Sequence, residues 1–459
     1  MHKVNPQSLI SQSLFGVSLE KLIPKDHPKK IILDKLPWDE LVKISRKAYK
    51  SDYWKDKPNV RVMIGLFIWH CISGDKTYRE ISDDFNLNNL CAYACGFKEI
   101  GFRTIDNSTL VKFEEHLGEE NILAIKDIIE KIAVTNQPPN SKGRYSGDTT
   151  VFESNVTFPT DTKVMESVRL FLVNDIIKKY QGQVYQNHRT YTLLARKEYL
   201  GFAKKRIINK KQVKKIKKKQ LQFLRRNILQ AEQVIMGLET KSSNLKNVNE
   251  NLFEKGTIKL QTIKLLGKAD KKAFKKLKAK LGIAKQIYSQ QMDWYKGKKI
   301  ENRIINFHRP SVRPIFRGKA QKKTEFGIKT FCSIMGKALI LSKTSYSNFY
   351  DGKGFKESIS DMKKKKYLVK EVVGDKGNGG MCLFLKDNNI IDGIEKRGKR
   401  KKDPPIPKKR FARSRNKMEG AFGVIKNVFI KNRLRAKTDG GDIRKIAKAM
   451  IGYNLKYAL

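Results

Sequence analysis

Residues 201–300 hold 28 Lys and Arg against 6 Asp and Glu. Charge at that density stays in water, so the stretch is restricted to elements that bury one narrow stripe and expose the rest. Two Lys-dominated segments have that form, "KKRIINKKQVKKIKKKQLQFLRRNI" and "KADKKAFKKLKAKLGIAKQIYSQQMDWY". In the first, Val213, Ile216, Leu221, Leu224 and Ile228 recur at helical spacing, a seam beneath a cationic face. Such helices are either a solvated hairpin kept soluble by its lysines or an inserted domain laid along a phosphate backbone. The charge density favours the second, with Lys214, Lys215, Lys217, Lys218 and Lys219 as contacts.

The excess extends to the whole chain. Its 459 residues carry 97 Lys and Arg and 45 Asp and Glu, a formal +52. Self-repulsion on that scale points to a polyanionic partner, nucleic acid first, with an anionic membrane surface as competitor. Ribosomal or nucleoid-packing proteins share the charge but are usually shorter and less aromatic. The 4 Trp, 16 Tyr and 23 Phe here argue for globular domains. The five cysteines are scattered; Cys91 and Cys95 form a C-x3-C pair with no second pair or nearby His to complete a zinc site. They read as buried thiols of a reducing cytoplasm. The start, "MHKVNPQSLISQSLFG", lacks a signal-peptide pattern. No apolar run approaches the ~18 residues of a membrane span. The expectation is a cytoplasmic, nucleoid-associated protein without a membrane partner.

Residues 1–135 read as an all-helical domain for DNA binding or dimerisation. "PWDELVKISRKAY" and "PNVRVMIGLFIWHCI" carry helical periodicity, each with Pro near its first turn. "TYREISDDFNLNNLCAYACGF" and "IDNSTLVKFEEHLG" follow, the latter with Asn107 or Ser108 as N-cap. These short helices fit either a helix-turn-helix reader or a plain bundle. "TNQPPNSKG" is a linker by composition. "RYSGDTTVFESNVTFPTD" reads as a strand running into a turn, and "KVMESVRLFLVNDIIKKY" as a helix. These elements open an α/β core at 136–185, which the basic helical insertion interrupts at 186–305.

The core resumes over 306–459. "EFGIKTFCSI", Met335-Gly336 and "KALILSK" read as a β-hairpin. "GFKESISDMKKK" is a short helix, "YLVKEVVGD" a buried strand ending at Asp375, "NGGMCLFLKDNN" a helix start and "IIDGIEKRG" a last strand. A Pro-broken basic linker, "KRKKDPPIPKKR", leads to the final helices. The order predicts an α/β layer, a mixed sheet flanked by helices, in which an antiparallel hairpin joins a parallel strand.

Three carboxylates stand out in this layout. Asp148 lies on the first strand, Asp375 ends the strand after the hairpin, and Glu419 lies in the helical "RSRNKMEGAFGVIKNVF". On that helix Arg415, Glu419 and Lys426 fall on one stripe, while Met418, Ala421, Ile425 and Phe429 line an adjacent stripe that packs on the sheet. Carboxylates from two strands and a helix, in so cationic a chain, suggest a two-metal phosphoryl-transfer site. Mg²⁺ takes hard oxygen ligands, and two ions ~3.5–4 Å apart stabilise the attacking and leaving oxygens of an in-line displacement. Arg415 and Lys426 would hold flanking phosphates. Glu153 and Asp161 are either supports of this site or turn and cap residues; His308 reads as a loop histidine.

"GDTTVFESNVTFPTD", "RPIFRGKAQKKTEFGIK", "VVGDKG" and "RNKMEGAFGVIK" together resemble the DDE transposases of bacterial insertion sequences. "GLFIWHCISGDKTYREISDDF" and "FRTIDNSTLVKFEEHLG" are similar to the helical domain preceding the core in that family. The resemblance implies an RNase H-like core, with Asp148, Asp375 and Glu419 as its D, D and E holding two Mg²⁺ ions, and Mn²⁺ as a substitute. The family's Y-x2-R-x3-E-x6-K signature falls on Arg415, Glu419 and Lys426, but Ala412 stands where the Tyr belongs, with Phe411 adjacent. "DKGNGG" lacks the aromatic common after the second Asp. The implied reaction is cleavage at the ends of the element, freeing a 3′-OH that attacks target DNA, with no covalent enzyme intermediate. The implied partners are double-stranded DNA, as terminal inverted repeats and target, and a second copy of the chain in a homodimer. Two alternatives stay open: a nuclease or resolvase on the same core without strand transfer, and a non-catalytic or domesticated DNA-binding protein.

Overall fold

The structure, a computed structural model, describes residues 18–49, 58–74, 76–180, 189–252, 268–316, 324–395 and 408–459. Its packing divides the chain into two units, residues 1–155 with 315–459, and residues 156–314. The first unit opens with helices α1 (Leu19–Leu22), α2 (Pro28–Asp34), α3 (Trp38–Ser45), α4 (Val60–Ser73), α5 (Tyr78–Leu87), α6 (Asn89–Ala94) and α7 (Asn107–Thr135). Every residue of α4 from Val62 to Ile72 is buried, so α4 forms the centre of the core that the surrounding helices cover. The N-cap of α7 is Asp106, whose carboxylate accepts the Ser108 N–H at 2.7 Å, rather than Asn107 or Ser108. Asp106 has the extended backbone a cap requires, whereas Asn107 and Ser108 already lie within the helix. Strand β1 (Arg144–Glu153) follows.

The second unit is helical. α8 (Asp161–Phe171) runs through a π-helical stretch, Leu172–Ile177, into α9 (Lys178–Tyr180); α10 (Thr192–Ala203), α11 (Lys210–Leu252) and α12 (Lys268–Tyr295) complete it. The seam expected on α11 is buried at Ile216, Leu221, Leu224 and Ile228 and continues through Ala231, Val234 and Ile235. It packs against Val164, Val168, Leu172 and Ile176 on one side and Leu281, Ala284 and Ile287 of α12 on the other. No described helix in either unit is long and apolar enough to cross a membrane.

The chain returns to the first unit with β2 (Arg313–Phe316), β3 (Thr324–Met335) and β4 (Ala338–Ser345). α13 (Asp351–Lys364), β5 (Glu371–Gly374), α14 (Cys382–Asp387), β6 (Ile391–Ile394), α15 (Lys408–Val424) and α16 (Asp439–Tyr457) follow. The sheet is mixed, as expected. β1 pairs antiparallel with β3, from Ser146 opposite Ile334 to Glu153 opposite Gly327, and parallel with β5. β4 lies antiparallel on β3, and β6 parallel on β5. The β3–β4 hairpin turns at Gly336, whose φ of +58° favours glycine.

Side chains alternate across the strands and so load two cores. Tyr145, Phe331, Met335 and Ile340 meet Phe355 and Ile359 of α13 on one face. Phe152, Ile328, Cys332 and Ile334 meet Met418, Ala421 and Ile425 on the other, with Met450 of α16. At Gly147 a Cβ would stand 2.7 Å from Phe331 and 2.8 Å from Phe355, so β1 approaches that aromatic pair only without a side chain there. Four cysteines are buried thiols, Cys382 is half-buried, and none of the five is in a disulfide. The basic linker before α15 lies almost wholly outside the described residues, as do the side chains of Phe411 and Ala412.

Candidate active site

Parallel pairing sets two carboxylates level. Ser146 pairs with Val373, so two residues further along each strand Asp148 comes beside Asp375, one residue past the end of β5. Asp148 shares its side of β1 with Phe152, the side that α15 covers. Its Oδ1 accepts the Thr149 N–H at 2.7 Å. Asp375 N-caps the short 3-10 turn Lys376–Met381: Oδ1 accepts from the Gly377 N–H at 3.0 Å and from Asn378 Nδ2 at 2.9 Å. No described donor engages its Oδ2. The cap therefore fixes the carboxylate by one oxygen and leaves the other open to the cleft.

The third carboxylate arrives on α15. Met418, Ala421, Phe422 and Ile425 bury that helix against the sheet, leaving Glu419 at its border with solvent. Arg415 Nε donates to Glu419 Oε1 at 2.9 Å, and both side chains are more than half exposed, at 57% and 56%. The Arg415 pKa is raised, by Glu419 first, with Asp148 and Asp375 adding to the same field. Lys426, in the π-helical turn that continues α15, places its ammonium 6.0 Å from the Phe152 ring centroid. Asp148, Asp375, Glu419, Arg415 and Lys426 line one cleft of about 540 Å³.

Two further residues of the cleft escaped sequence reasoning. Asp351, at the start of α13, accepts from Thr149 Oγ1 at 3.2 Å and from Lys329 Nζ at 2.6 Å. Lys329 is almost fully buried in β3, and its other bonds go to the Phe349 carbonyl at 2.6 Å and Asn348 Oδ1 at 3.0 Å. A lysine inside the apolar run "EFGIKTFCSI" was the signal that could have found them, because a buried ammonium must meet an acid.

Among the described residues no group of three or more His, Cys, Asp or Glu side chains is arranged to hold a metal ion. The donor chemistry nevertheless suits hard cations: the cleft presents carboxylate oxygens, and Asp375 Oδ2 and Glu419 Oε2 have no described donor.

Elsewhere the candidates separate. Asp161 belongs to the helical unit, where it pairs with Lys217 and Arg303. Glu153 ends β1, and its carbonyl accepts the Leu434 N–H at 2.7 Å. His308 lies on a loop, its ring edge-on to Phe307. Of the α11 lysines, Lys217 is tied to Asp161 and Lys219 to Glu198 at 2.6 Å, while Lys214, Lys215 and Lys218 are not fully buried and have no described acidic partner. Comparison with protein-family models, with curated proteins and with solved structures returned no match.

Proposed function

We propose that the protein is a DNA transposase of the DDE type, working on double-stranded DNA through a metal-dependent phosphoryl-transfer site in an RNase H-like core. The convergence of Asp148, Asp375 and Glu419 on one cleft, beside Arg415 and Lys426, carries this conclusion. The sheet order supports the core: antiparallel β4, β3 and β1, then parallel β5 and β6. The charge of +52 supports the polyanionic partner. Asp148, Asp375 and Glu419 would hold two Mg²⁺ ions, or Mn²⁺, which when bound stabilise the attacking and leaving oxygens of the displacement.

The chain's own groups orient the DNA. Asn378 and the Gly377 amide hold Asp375 by Oδ1, and Lys329 holds Asp351 at the floor of the cleft. Arg415 offers a phosphate a planar fork, and Lys426 a point charge, at the cleft wall. A homodimer would bring two DNA ends together. The test is cleavage and strand transfer on DNA ends taken from the sequence flanking the gene. Asp375→Ala and Glu419→Gln are expected to abolish Mg²⁺-dependent cutting and to retain salt-sensitive DNA binding in EDTA. Normal cutting by either variant would falsify the assignment.

One observation favours a second reading, a DNA-binding protein without catalysis. Glu419 is engaged by Arg415 rather than turned to its fellow carboxylates. That reading expects the wild-type chain to bind DNA but never to cut it in Mg²⁺ or Mn²⁺.

A further inference from the structure

The first unit contains another pocket, open to solvent and of about 300 Å³, whose charge is the reverse of the acidic cleft. Lys76, Lys431, Arg433, Arg435, Lys445 and Lys448 line it against a single carboxylate, Glu114. Glu114 is buried and already satisfied: it pairs with Lys448 and accepts the Tyr78 hydroxyl at 2.8 Å. His70 adds no charge. Its Nε2–H donates to the Lys76 carbonyl at 2.9 Å, so Nδ1 is left to accept from Lys448 at 3.1 Å, the pattern of a neutral ring. Burial, then Lys448, keeps its pKa below the ordinary value. Lys76 is held by Asp84 at 2.6 Å. Lys431, Arg433, Arg435 and Lys445 remain, and the last three have no ion pair to an acid among the described residues.

Backbone geometry aims the two arginines. Lys431 and Asn432 both have left-handed φ, +51° and +62°, a costly conformation for Lys that turns the chain sharply after α15. The next stretch is pinned to the end of β1: the Leu434 N–H donates to the Glu153 carbonyl at 2.7 Å, and the Asn155 N–H to the Leu434 carbonyl at 2.9 Å. Leu434 is fully buried and bridges to Ser154. In extended chain alternate residues face opposite ways, so a buried Leu434 turns Arg433 and Arg435 together toward the cavity that both line. Lys445 meets them from α16. Its side chain is exposed; partial desolvation, then Lys448, lowers its pKa, Asp442 and Glu114 act the other way, and Arg435 adds to the lowering.

We propose that this cavity is a phosphate seat, with Arg433 and Arg435 gripping phosphate oxygens and Lys445 closing the field behind them. Paired guanidiniums fit a tetrahedral anion through charge-assisted bonds. The inference rests on the transposase reading for its preferred source, a backbone phosphate of double-stranded DNA. A free phosphate or the phosphate tail of a nucleotide has the same chemistry, and the experiment separates them.

The full chain is titrated in EDTA with a fluorescent duplex of arbitrary sequence across a KCl series, and separately by calorimetry with inorganic pyrophosphate. The comparison uses R433Q/R435Q/K445Q and a charge-matched control on α3 and its flanks, K35Q/K43Q/K47Q. If the source is DNA, the first variant flattens the salt slope by about 1 for each phosphate it no longer neutralises, the control by less. If the source is a small molecule, the duplex slope holds but pyrophosphate binding is lost only in the first variant. Unchanged slope and unchanged pyrophosphate binding overturn the seat, as does equal flattening by the control. R433K/R435K/K445R, which keeps the charge, is expected to retain most of the wild-type slope, and equal melting temperatures show that all chains are folded. Should the wild type bind no duplex, the transposase reading fails, and pyrophosphate alone decides the cavity. Should duplex bind but never be cut, the seat still stands or falls on the slope.

Discussion

In the acidic cleft the buried charge is a cation, Lys329; in the basic cavity it is an anion, Glu114. Each space holds one charge opposite to its majority deep in the fold, Lys329 or Glu114; Arg415 and Lys426, also cationic, lie nearer the rim of the cleft. The minority charge is fully bonded in each case: Lys329 to Asp351, Asn348 and Phe349, Glu114 to Lys448 and Tyr78. It neutralises part of the rim and fixes the wall. The majority charges lining the two spaces, among them Asp375 and Glu419 in one and Arg433 and Arg435 in the other, are the groups that the proposed ligands would meet. A buried ion pair adds little net stability but is costly to break from one side. Minority-charge variants should therefore damage the fold, and majority-charge variants should damage binding or chemistry.

The largest effect expected from that contrast is at Glu114. Glu114→Gln strands the Lys448 ammonium and should lower stability by about 3 kcal/mol at neutral pH, read by denaturant unfolding. Burial works to raise the Glu114 pKa, but the neighbouring Lys448 ammonium opposes it, and the carboxyl lies well below the glutamate range. A pKa depressed in the folded state gives stability that is present above the ordinary value near 4.5 and lost as pH falls through the folded one. Wild type and variant should thus differ most at neutral pH and converge on acidification. A gap that widens in acid would reverse the sign and break the comparison.

Next is Lys329→Met. If Lys329 serves only to position Asp351, cleavage should fall about 10- to 100-fold, the usual loss for a supporting group around a metal site, while duplex affinity in EDTA stays put. A matching loss of DNA binding would make Lys329 a contact and not a brace. The smallest effect is within α11, where the same division separates lysines on one helix. Neutralising Lys214, Lys215 and Lys218 to Gln should flatten the salt slope by up to about 1 for each phosphate they engage. Neutralising Lys217 and Lys219, paired to Asp161 and Glu198, should leave the slope and cost about 1 kcal/mol or less for each pair.

Local patterns were legible in the sequence, and long-range ones were not. The hairpin around Met335-Gly336 showed in strand alternation and a glycine turn, and the α11 seam in its spacing. Asp148, Asp375 and Glu419 could be placed on two strands and a helix before any contact was known. Asp351 was hidden because the helix read from "GFKESISDMKKK" begins a turn earlier, at Asp351 itself. The pairing of Lys217 with Asp161, and the basic cavity assembled from α4, α5, α7, α16 and the loop at Arg433, depend on residues far apart in the chain. Composition gives their charge but not their neighbours.

The path of β1 through the sheet has a consequence for biosynthesis. β1 is complete by residue 153, yet both strands that flank it lie beyond residue 323. A ribosome must therefore make the entire helical unit while the strand bearing Asp148 has two unsatisfied edges. Unpaired strand edges invite association between nascent chains. The helical unit has a core of its own, spanning Val164 to Phe307, and can fold during that wait. The future centre of the sheet therefore stays unpaired until residues beyond 323 have emerged.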